Sequence, residues 1–339
     1  SAGMTLKKSA LCTKYLNLMY EGKIKCTHDF YMKVFHMCLA DGSVTYPKQD
    51  FLLVDEAGDL NEVTLEIFKL FPAKIKIAVG DAAQNIYSFN HTVNAFELLQ
   101  DDGVSFRLTE SFRVAAGVAS RIESFCMAHI NKDMKFKGQT DIDLDVISSR
   151  AMLSRTNAGL ITAIINLMDN NVNFSLVRSA ADIFKLPLTL CFLSYQGKIT
   201  DPSYKHLQAD VDEWYEDAEL KDKYKSPLVY ITHLYSFDIA LVSAARLVMA
   251  KGRSTILDAY EFAKSCEKKR TNLFLATSHS VKGLEYDEVT ILDDLNESVS
   301  RALDYESVDM ADEDRMQEYC LYYVACSRAR KSLINAKML

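Results

Sequence analysis

The chain has 339 residues, 49% of them hydrophobic and 25% charged, which is the balance of an ordinary globular protein able to bury a sizeable core. A net charge of −7 excludes a protein that is basic all over, yet Lys and Arg can still line one face as a nucleic-acid groove. No apolar run is long enough to span a bilayer, so no membrane association is expected.

In chain order, residues 1–50 read as mostly helical. QDFLLVDE is then an apolar strand, LNEVTLEIFKLF a helix by the spacing of its apolar residues, KIKIAVGD a second strand and TVNAFELLQ a second helix. The alternation returns with the strand VSFRLTES, the helix AAGVASRIESFCMAHI, the strand in DLDVISSRAMLSR and the helix LITAIINLMDN. Between about 178 and 268 the pattern is mainly helical and rich in Lys, Asp and Tyr, which suggests an insertion. NLFLATS and YDEVTILDD then read as strands, EYCLYYVACSRAR as a helix and SLINA as a short strand. Strands alternating with helices predict an α/β protein with parallel sheets covered on both faces. Eight cysteines stand singly, with no CxxC and no His cluster at zinc spacing, so reduced thiols in an intracellular protein are expected, in cytoplasm or nucleus. Few prolines and an Asn/Lys/Tyr-rich style would suit a viral protein or an AT-rich genome.

Ligands of open α/β sheets bind at the carboxyl ends of the strands. Asp55 and Glu56 lie at such an end, where an Asp can hold Mg²⁺ and the adjacent Glu can orient or deprotonate a water. Asp81 and Gln84 follow the next strand, where a Gln can sense a terminal phosphate. Acidic strand ends also cap neighbouring helices, and DEAGD alone leaves both readings open.

The order of the remaining stretches is more specific. VGDAAQNIYSF (79–89) is followed by LTESFR (108–113), then by TSHSVKGLEYD (277–287) and YVACSRAR (323–330). This series resembles motifs II through VI of the superfamily 1 DNA helicases of the UvrD/Rep group. The likeness runs from about residue 27 to the end, includes THDFYMKVFHM and LSRTNA (153–158), and weakens across the central insertion. It implies two RecA-like lobes of P-loop NTPase type, ATP with Mg²⁺ between them, single-stranded DNA across their top, and a role in DNA repair or replication. Residues 51–105 would form a partial first lobe. Residues 106–177 and 269–339 would form the second, interrupted by the helical insertion 178–268.

Carried over by position, the resemblance implies that Asp55 ligates Mg²⁺, Glu56 activates the attacking water and Gln84 contacts the γ-phosphate. Arg113 and Arg328 would act as arginine fingers, and Gly283 and Glu285 would line the nucleotide cleft. On the DNA side, Tyr87 and Phe89 would stack on bases, while Arg155, Thr277 and His279 would contact the strand. Without the surrounding motif, Tyr87 and Phe89 could equally be core residues and His279 a satisfied polar residue at a strand end.

The family's Gly-rich Walker A loop cradles phosphates with backbone N–H groups, and no Gly-Lys pair of this chain has that form. In the family it lies before motif II, as does the adenine-binding Gln motif, so the expectation is a chain that lacks the P-loop and turns over ATP poorly alone. A fragment, a split or eroded gene, or a partner chain carrying the P-loop would each give this pattern. Gly58 stands where the family usually has Gln, Asn90-His91 where it has Arg-Gly, and Ser327 where it has Thr. The resemblance implies a 3′-to-5′ translocating DNA helicase. The alternative is a catalytically silent helicase-like module that binds DNA or protein, and a Mg²⁺ nuclease using Asp55, Glu56 and Asp81 is disfavoured because it would leave the arginines without a role.

Overall fold

The structure is a computed structural model that describes residues 2–86, 95–195, 197–199 and 201–339. The chain forms two compact units, Ser1–Phe106 and Arg107–Leu339.

The first unit contains α1 (Ala2–Tyr20), α2 (His28–Ala40), β1 (Gln49–Val54), α3 (Glu62–Leu70), β2 (Ala73–Ala78) and α4 (Ala95–Leu99). Helix α2 starts where the Thr27 hydroxyl accepts from the Phe30 N–H, and α3 where Asn61 Oδ1 accepts from the Thr64 N–H at 2.9 Å. Leu65 and Phe68 form the buried stripe of α3. That helix is the crossover between β1 and β2, which pair in parallel with Phe51 opposite Ile75 and Leu53 opposite Ile77.

One expectation fails here. The two strands read as buried on both faces, but Phe51, Leu53, Ile75 and Ile77 are 58%, 65%, 50% and 38% exposed. Their alternation puts these four side chains on one face of the ladder, and no described element covers that face. Only the opposite face, with Leu52 and Val54, is half-buried.

The second unit opens with β3 (Glu110–Ala115), α5 (Ala116–His129) and β4 (Lys137–Gln139), β3 and β4 forming a parallel pair. Then come β5 (Arg150–Ser154), α6 (Asn157–Asp169) and β6 (Ser175–Leu176). From there the described residues form helices without a strand: α7 (Ala180–Leu193), α8 (Lys205–Glu216), α9 (Ala218–Lys223), α10 (Pro227–Leu234) and α11 (Ile239–Cys266). It returns through β7 (Leu273–Thr277), β8 (Tyr286–Ile291), α12 (Asp293–Leu303), α13 (Asp312–Cys326) and β9 (Ala329–Ile334). Strands β6-β7-β5-β8-β9 make one sheet, parallel throughout.

The run VSFRLTES is not a strand along its length. Val104, Phe106 and Leu108 are 81%, 88% and 90% exposed, and the ladder begins only at Glu110, where β4 offers a partner. Strand preference without a partner does not make a strand. The main core joins Ile161 and Ile164 of α6, Ile183, Phe184 and Leu190 of α7, and Leu241 and Ile256 of α11. Tyr319, Tyr322, Val324 and Cys326 bury nearly the whole last half of α13. All eight cysteines are free thiols, five of them buried. No described helix is long and apolar enough to cross a membrane.

Candidate nucleotide and nucleic-acid sites

In the first unit the turn after β1 is pinned to the end of β2. The Val79 N–H donates to the Val54 carbonyl and the Ala57 N–H to the Val79 carbonyl, each at 2.9 Å. Glu56 adopts a left-handed conformation with φ 53° and ψ 41°, which a non-glycine residue rarely occupies and which turns its side chain off the strand line. Its N–H donates to Asp55 Oδ1 at 2.9 Å. The approach is close enough to require glycine at position 80 and is tight at position 58. A Cβ on Gly58 would lie 3.0 Å from the Asp81 carbonyl oxygen, and one on Gly80 would lie 2.8 Å from the Ala57 nitrogen. At Gly58, which the sequence presents as a lost side chain, a side chain would need the Asp81 carbonyl to give by a few tenths of an ångström.

Asp81 organises its own loop, with Oδ1 accepting from the Ala83 N–H at 2.9 Å and Oδ2 from the Gln84 amide at 3.0 Å. Gln84 is therefore held rather than swinging. The carboxylates of Asp55 and Glu56 are exposed at the carboxyl ends of parallel strands. Asp55 keeps Oδ2 clear of any hydrogen bond among the described residues. This donor set fits Mg²⁺, which takes one or two carboxylates and leaves its other positions to water and phosphate. No cluster of three potential ligands occurs among the described residues. Tyr87 and Phe89 lie outside the described residues.

Two groups form in the second unit. The first brings Gly283, Glu285, Arg113 and Arg328 to one corner. Gly283 has φ +84°, open to glycine alone without strain. Arg113 Nη1 lies 3.3 Å from Glu285 Oε2, and Arg330 Nη1 lies 3.8 Å from Glu285 Oε1 and 4.0 Å from Asp287 Oδ1. Arg328 is only 5% exposed. Its guanidinium donates to the Val324 carbonyl at 2.9 Å, the Leu284 carbonyl at 3.4 Å and the Ser327 hydroxyl at 2.8 Å. Burial alone would raise the Asp287 carboxyl, but bonds from the Ser148 hydroxyl and amide, the charge of Lys331 and the Ser149 amide outweigh it and hold the group below its ordinary value.

The second group gathers where β5 and β7 end. Arg155 meets Glu318 through Nε at 2.9 Å and Nη2 at 2.7 Å, and Ser298 Oγ donates to the same carboxylate at 2.6 Å. Glu318 is 6% exposed. Asp294 Oδ2 accepts from Ser154 Oγ at 2.7 Å, the Thr156 N–H at 2.9 Å, the Arg155 N–H at 3.1 Å and Thr156 Oγ1 at 3.1 Å. One carboxylate oxygen thus sets the 154–156 turn that presents Arg155. Thr277 Oγ1 lies 3.1 Å from Ser280 Oγ, and with Asn157, Arg178 and Ser280 it lines a shallow surface depression. Burial, reinforced by the charge of Arg155 and opposed by Glu318, pushes the His279 imidazole down to about 4.

Of the expected site residues, the structure brings Asp55, Glu56 and Gln84 to one edge of the first unit. It also gives Arg155 a carboxylate partner and holds Arg328 against backbone carbonyls. The sequence pattern does not single out Glu318, Ser298, Asp294, Asp287 or Arg330. The only hint lay in YDEVTILDD, whose strand ends in paired aspartates.

Residues 42–102 match the family model of the UvrD/REP helicase N-terminal domain, and residues 199–338 that of the UvrD-like helicase C-terminal domain. F-box DNA helicase 1 of Gallus gallus is 26% identical across 94% of this chain. The chain belongs to the UvrD/Rep-type superfamily 1 helicases. F-box DNA helicase protein 1 of Schizosaccharomyces pombe is 27% identical across 90% of the chain. The UvrD/Rep-type chain spans about a third of the length of these curated relatives, 32% and 36%.

His279 gives the UvrD/Rep-type chain a defined response to acid. The unfolded imidazole takes up a proton as pH falls through about 6.5, whereas the folded one stays neutral until about 4. The unfolded state therefore binds more protons in that window, and native stability falls as pH falls through it. The expected loss at pH 5 is about 2 kcal/mol from this residue. Urea unfolding at pH 7 and pH 5 should show a smaller fall for His279→Gln than for the native chain, and equal falls would contradict the assignment.

Proposed function

We propose that the chain is the motif II–VI portion of an ATP-dependent DNA helicase or translocase whose two units are RecA-like lobes. The observation that carries this reading is the turn at Asp55-Glu56. A strained left-handed Glu sits beside an exposed Asp at the end of a parallel strand, next to a loop in which Asp81 holds Gln84. Asp55 holds Mg²⁺, Glu56 deprotonates the attacking water, and Gln84 meets the terminal phosphate. Arg113 reaches phosphate when its ion pair with Glu285 opens. Thr277, His279 and Arg155 face the DNA strand, to which Tyr87 and Phe89 add stacking rings. Movement is 3′ to 5′, as the family resemblance implies. Turnover requires a Gly-rich phosphate cradle that these 339 residues do not encode, supplied by a further segment or a partner chain.

The second reading, a silent DNA- or protein-binding module, is favoured by one observation. Arg328 is buried, and three of its donors rest on the Val324 and Leu284 carbonyls and the Ser327 hydroxyl, so reaching a phosphate would give up some of these bonds.

ATP hydrolysis with and without single-stranded DNA separates the two, measured on the chain alone and together with a P-loop-bearing N-terminal segment. DNA-stimulated turnover that Glu56→Gln lowers by roughly 100-fold or more supports the motor, since a general base contributes on that scale. Turnover unaffected by Glu56→Gln removes Glu56 from the chemistry. DNA binding without turnover in the presence of the segment establishes the silent module.

A further inference from the structure

Two aromatic side chains stand out of the surface where α7 ends. Phe192 is 53% exposed and Tyr195 66% exposed. The Arg253 guanidinium carbon lies 5.8 Å from the Phe192 ring centroid and 5.4 Å from that of Tyr195. An arginine on one ring is common, at roughly one cation–π contact per 70–80 residues. One exposed arginine serving two exposed rings, without a carboxylate, is less so.

The arrangement is built by the backbone on both sides. In α7, Leu190, Cys191 and Leu193 are buried against α11, which leaves Phe192 pointing outward. The Tyr195 and Gly197 N–H groups both donate to the Phe192 carbonyl, at 3.2 and 2.9 Å. A Cβ on Gly197 would lie 2.7 Å from that oxygen, so the turn closes only around glycine. Opposite, α11 breaks at Gly252, where φ is +75° and ψ 162°, and Arg253 is the next residue. The break takes Arg253 off the regular helix line at the point where the two rings meet it.

Charge is distributed in the same sense. Residues 239–257 contain Arg246, Lys251 and Arg253 but no Asp or Glu, and residues 183–200 contain no acid either. Arg246, Lys251 and Arg253 are exposed and form no ion pair among the described residues. A surface that keeps flat apolar rings in water, beside cations that no acid neutralises, matches a ligand with flat faces and a polyanionic thread. Every nucleobase has such a face, and stacking on aromatic side chains tolerates any sequence.

We propose that Phe192, Tyr195 and Arg253 form a stacking platform for unpaired bases of single-stranded nucleic acid, with Arg246 and Lys251 drawing in the backbone. The platform lies on the helical segment between β6 and β7, away from Arg155, Thr277 and His279 in sequence, and rests on the reading that this chain handles a nucleic-acid strand.

The test is fluorescence anisotropy of the whole chain with labelled oligo-dT, oligo-U and an abasic strand of equal length. Phe192→Ala and Tyr195→Ala should each weaken oligo-dT binding about tenfold, and Tyr195→Phe should leave it within about twofold. Arg253→Ala should weaken it by a similar factor, with Arg253→Lys recovering part. The abasic strand should bind native and ring-substituted chains alike. Oligo-dT and oligo-U should both bind, and ring substitution should weaken both, because stacking does not read the sugar.

Unchanged oligo-dT binding in the ring variants overturns the platform, as does an equal loss on the abasic strand or equal competition by polyglutamate. A second readout is independent of affinity. Ultraviolet crosslinking of iodouracil-substituted strand should mark the peptide holding Phe192 and Tyr195, and a chain that binds strand without marking it overturns the platform alone. A native chain that binds no strand overturns the nucleic-acid reading together with the platform. The side chains are exposed, so the unfolding midpoint of each variant should match the native one.

Discussion

Glu318→Ala is expected to destabilise the second unit by about 3–5 kcal/mol, because it leaves a charged guanidinium without its partner away from water. Arg155 reaches this carboxylate with two nitrogens, at 2.9 and 2.7 Å, and Ser298 adds a third donor at 2.6 Å. Both side chains are largely removed from solvent, Arg155 at 19% and Glu318 at 7% exposure, so water cannot replace the lost bonds. Glu318→Gln keeps the volume and the Ser298 bond and should cost roughly half as much. The double variant Arg155→Met/Glu318→Leu should recover most of the loss, since a buried ion pair contributes little over apolar residues of similar size. Trp214 is the chain's one tryptophan and is buried in the second unit, so its fluorescence during urea unfolding reads this unit directly. A Glu318→Ala midpoint equivalent to less than about 1 kcal/mol would mean that Arg155 finds water or another acceptor, and the pair would then be a surface contact.

The same pair marks the limit of what the sequence makes legible. Asp55, Glu56, Asp81 and Gln84 are readable because their geometry is local. Each follows an apolar run, and the turn that presents it is closed by bonds to residues within three positions or to the adjacent strand. Glu318 has no such mark. It sits among the apolar residues of α13, and its partner lies 163 residues away. Arg328 is readable by its motif, and what the sequence does not show is its burial and its bond to the Val324 carbonyl at the end of α13.

Element types followed the apolar periodicity well, including β1, β2, β5, β7 and β8, because those runs meet partner strands. The run 104–109 did not become strand, since pairing and not composition decides. The open face of β1 and β2 shows the same rule from the other side. Phe51, Leu53, Ile75 and Ile77 have the alternation of a buried parallel strand, and the sequence could not reveal that no described element packs on them.

Gly159→Ala is expected to cost about 3 kcal/mol, against the direction that helix propensity alone gives. Gly159 is the third residue of α6, where alanine would ordinarily be better than glycine by about 1 kcal/mol. Its added Cβ would stand 2.1 Å from Asp294 Oδ2, 2.4 Å from Asp294 Cγ and 2.5 Å from Ser154 Oγ. A flexible carboxylate could normally swing aside, but this oxygen accepts from Ser154, Arg155 and both donors of Thr156. Its other oxygen, Oδ1, is buried and already without a hydrogen bond among the described residues. Moving the group therefore gives up several charge-assisted bonds and gains none, each worth about 1.5–3 kcal/mol gross of the rearrangement that follows. The loss should be shared with the turn that carries Arg155, so strand binding and stability should fall together. A double-mutant cycle with Asp294→Ala isolates the cause: the two substitutions should couple by more than about 1 kcal/mol, because the second removes the atom the first collides with. A neutral or stabilising Gly159→Ala would show that Asp294 moves freely, and the 154–156 turn would then owe its shape to the strand end alone.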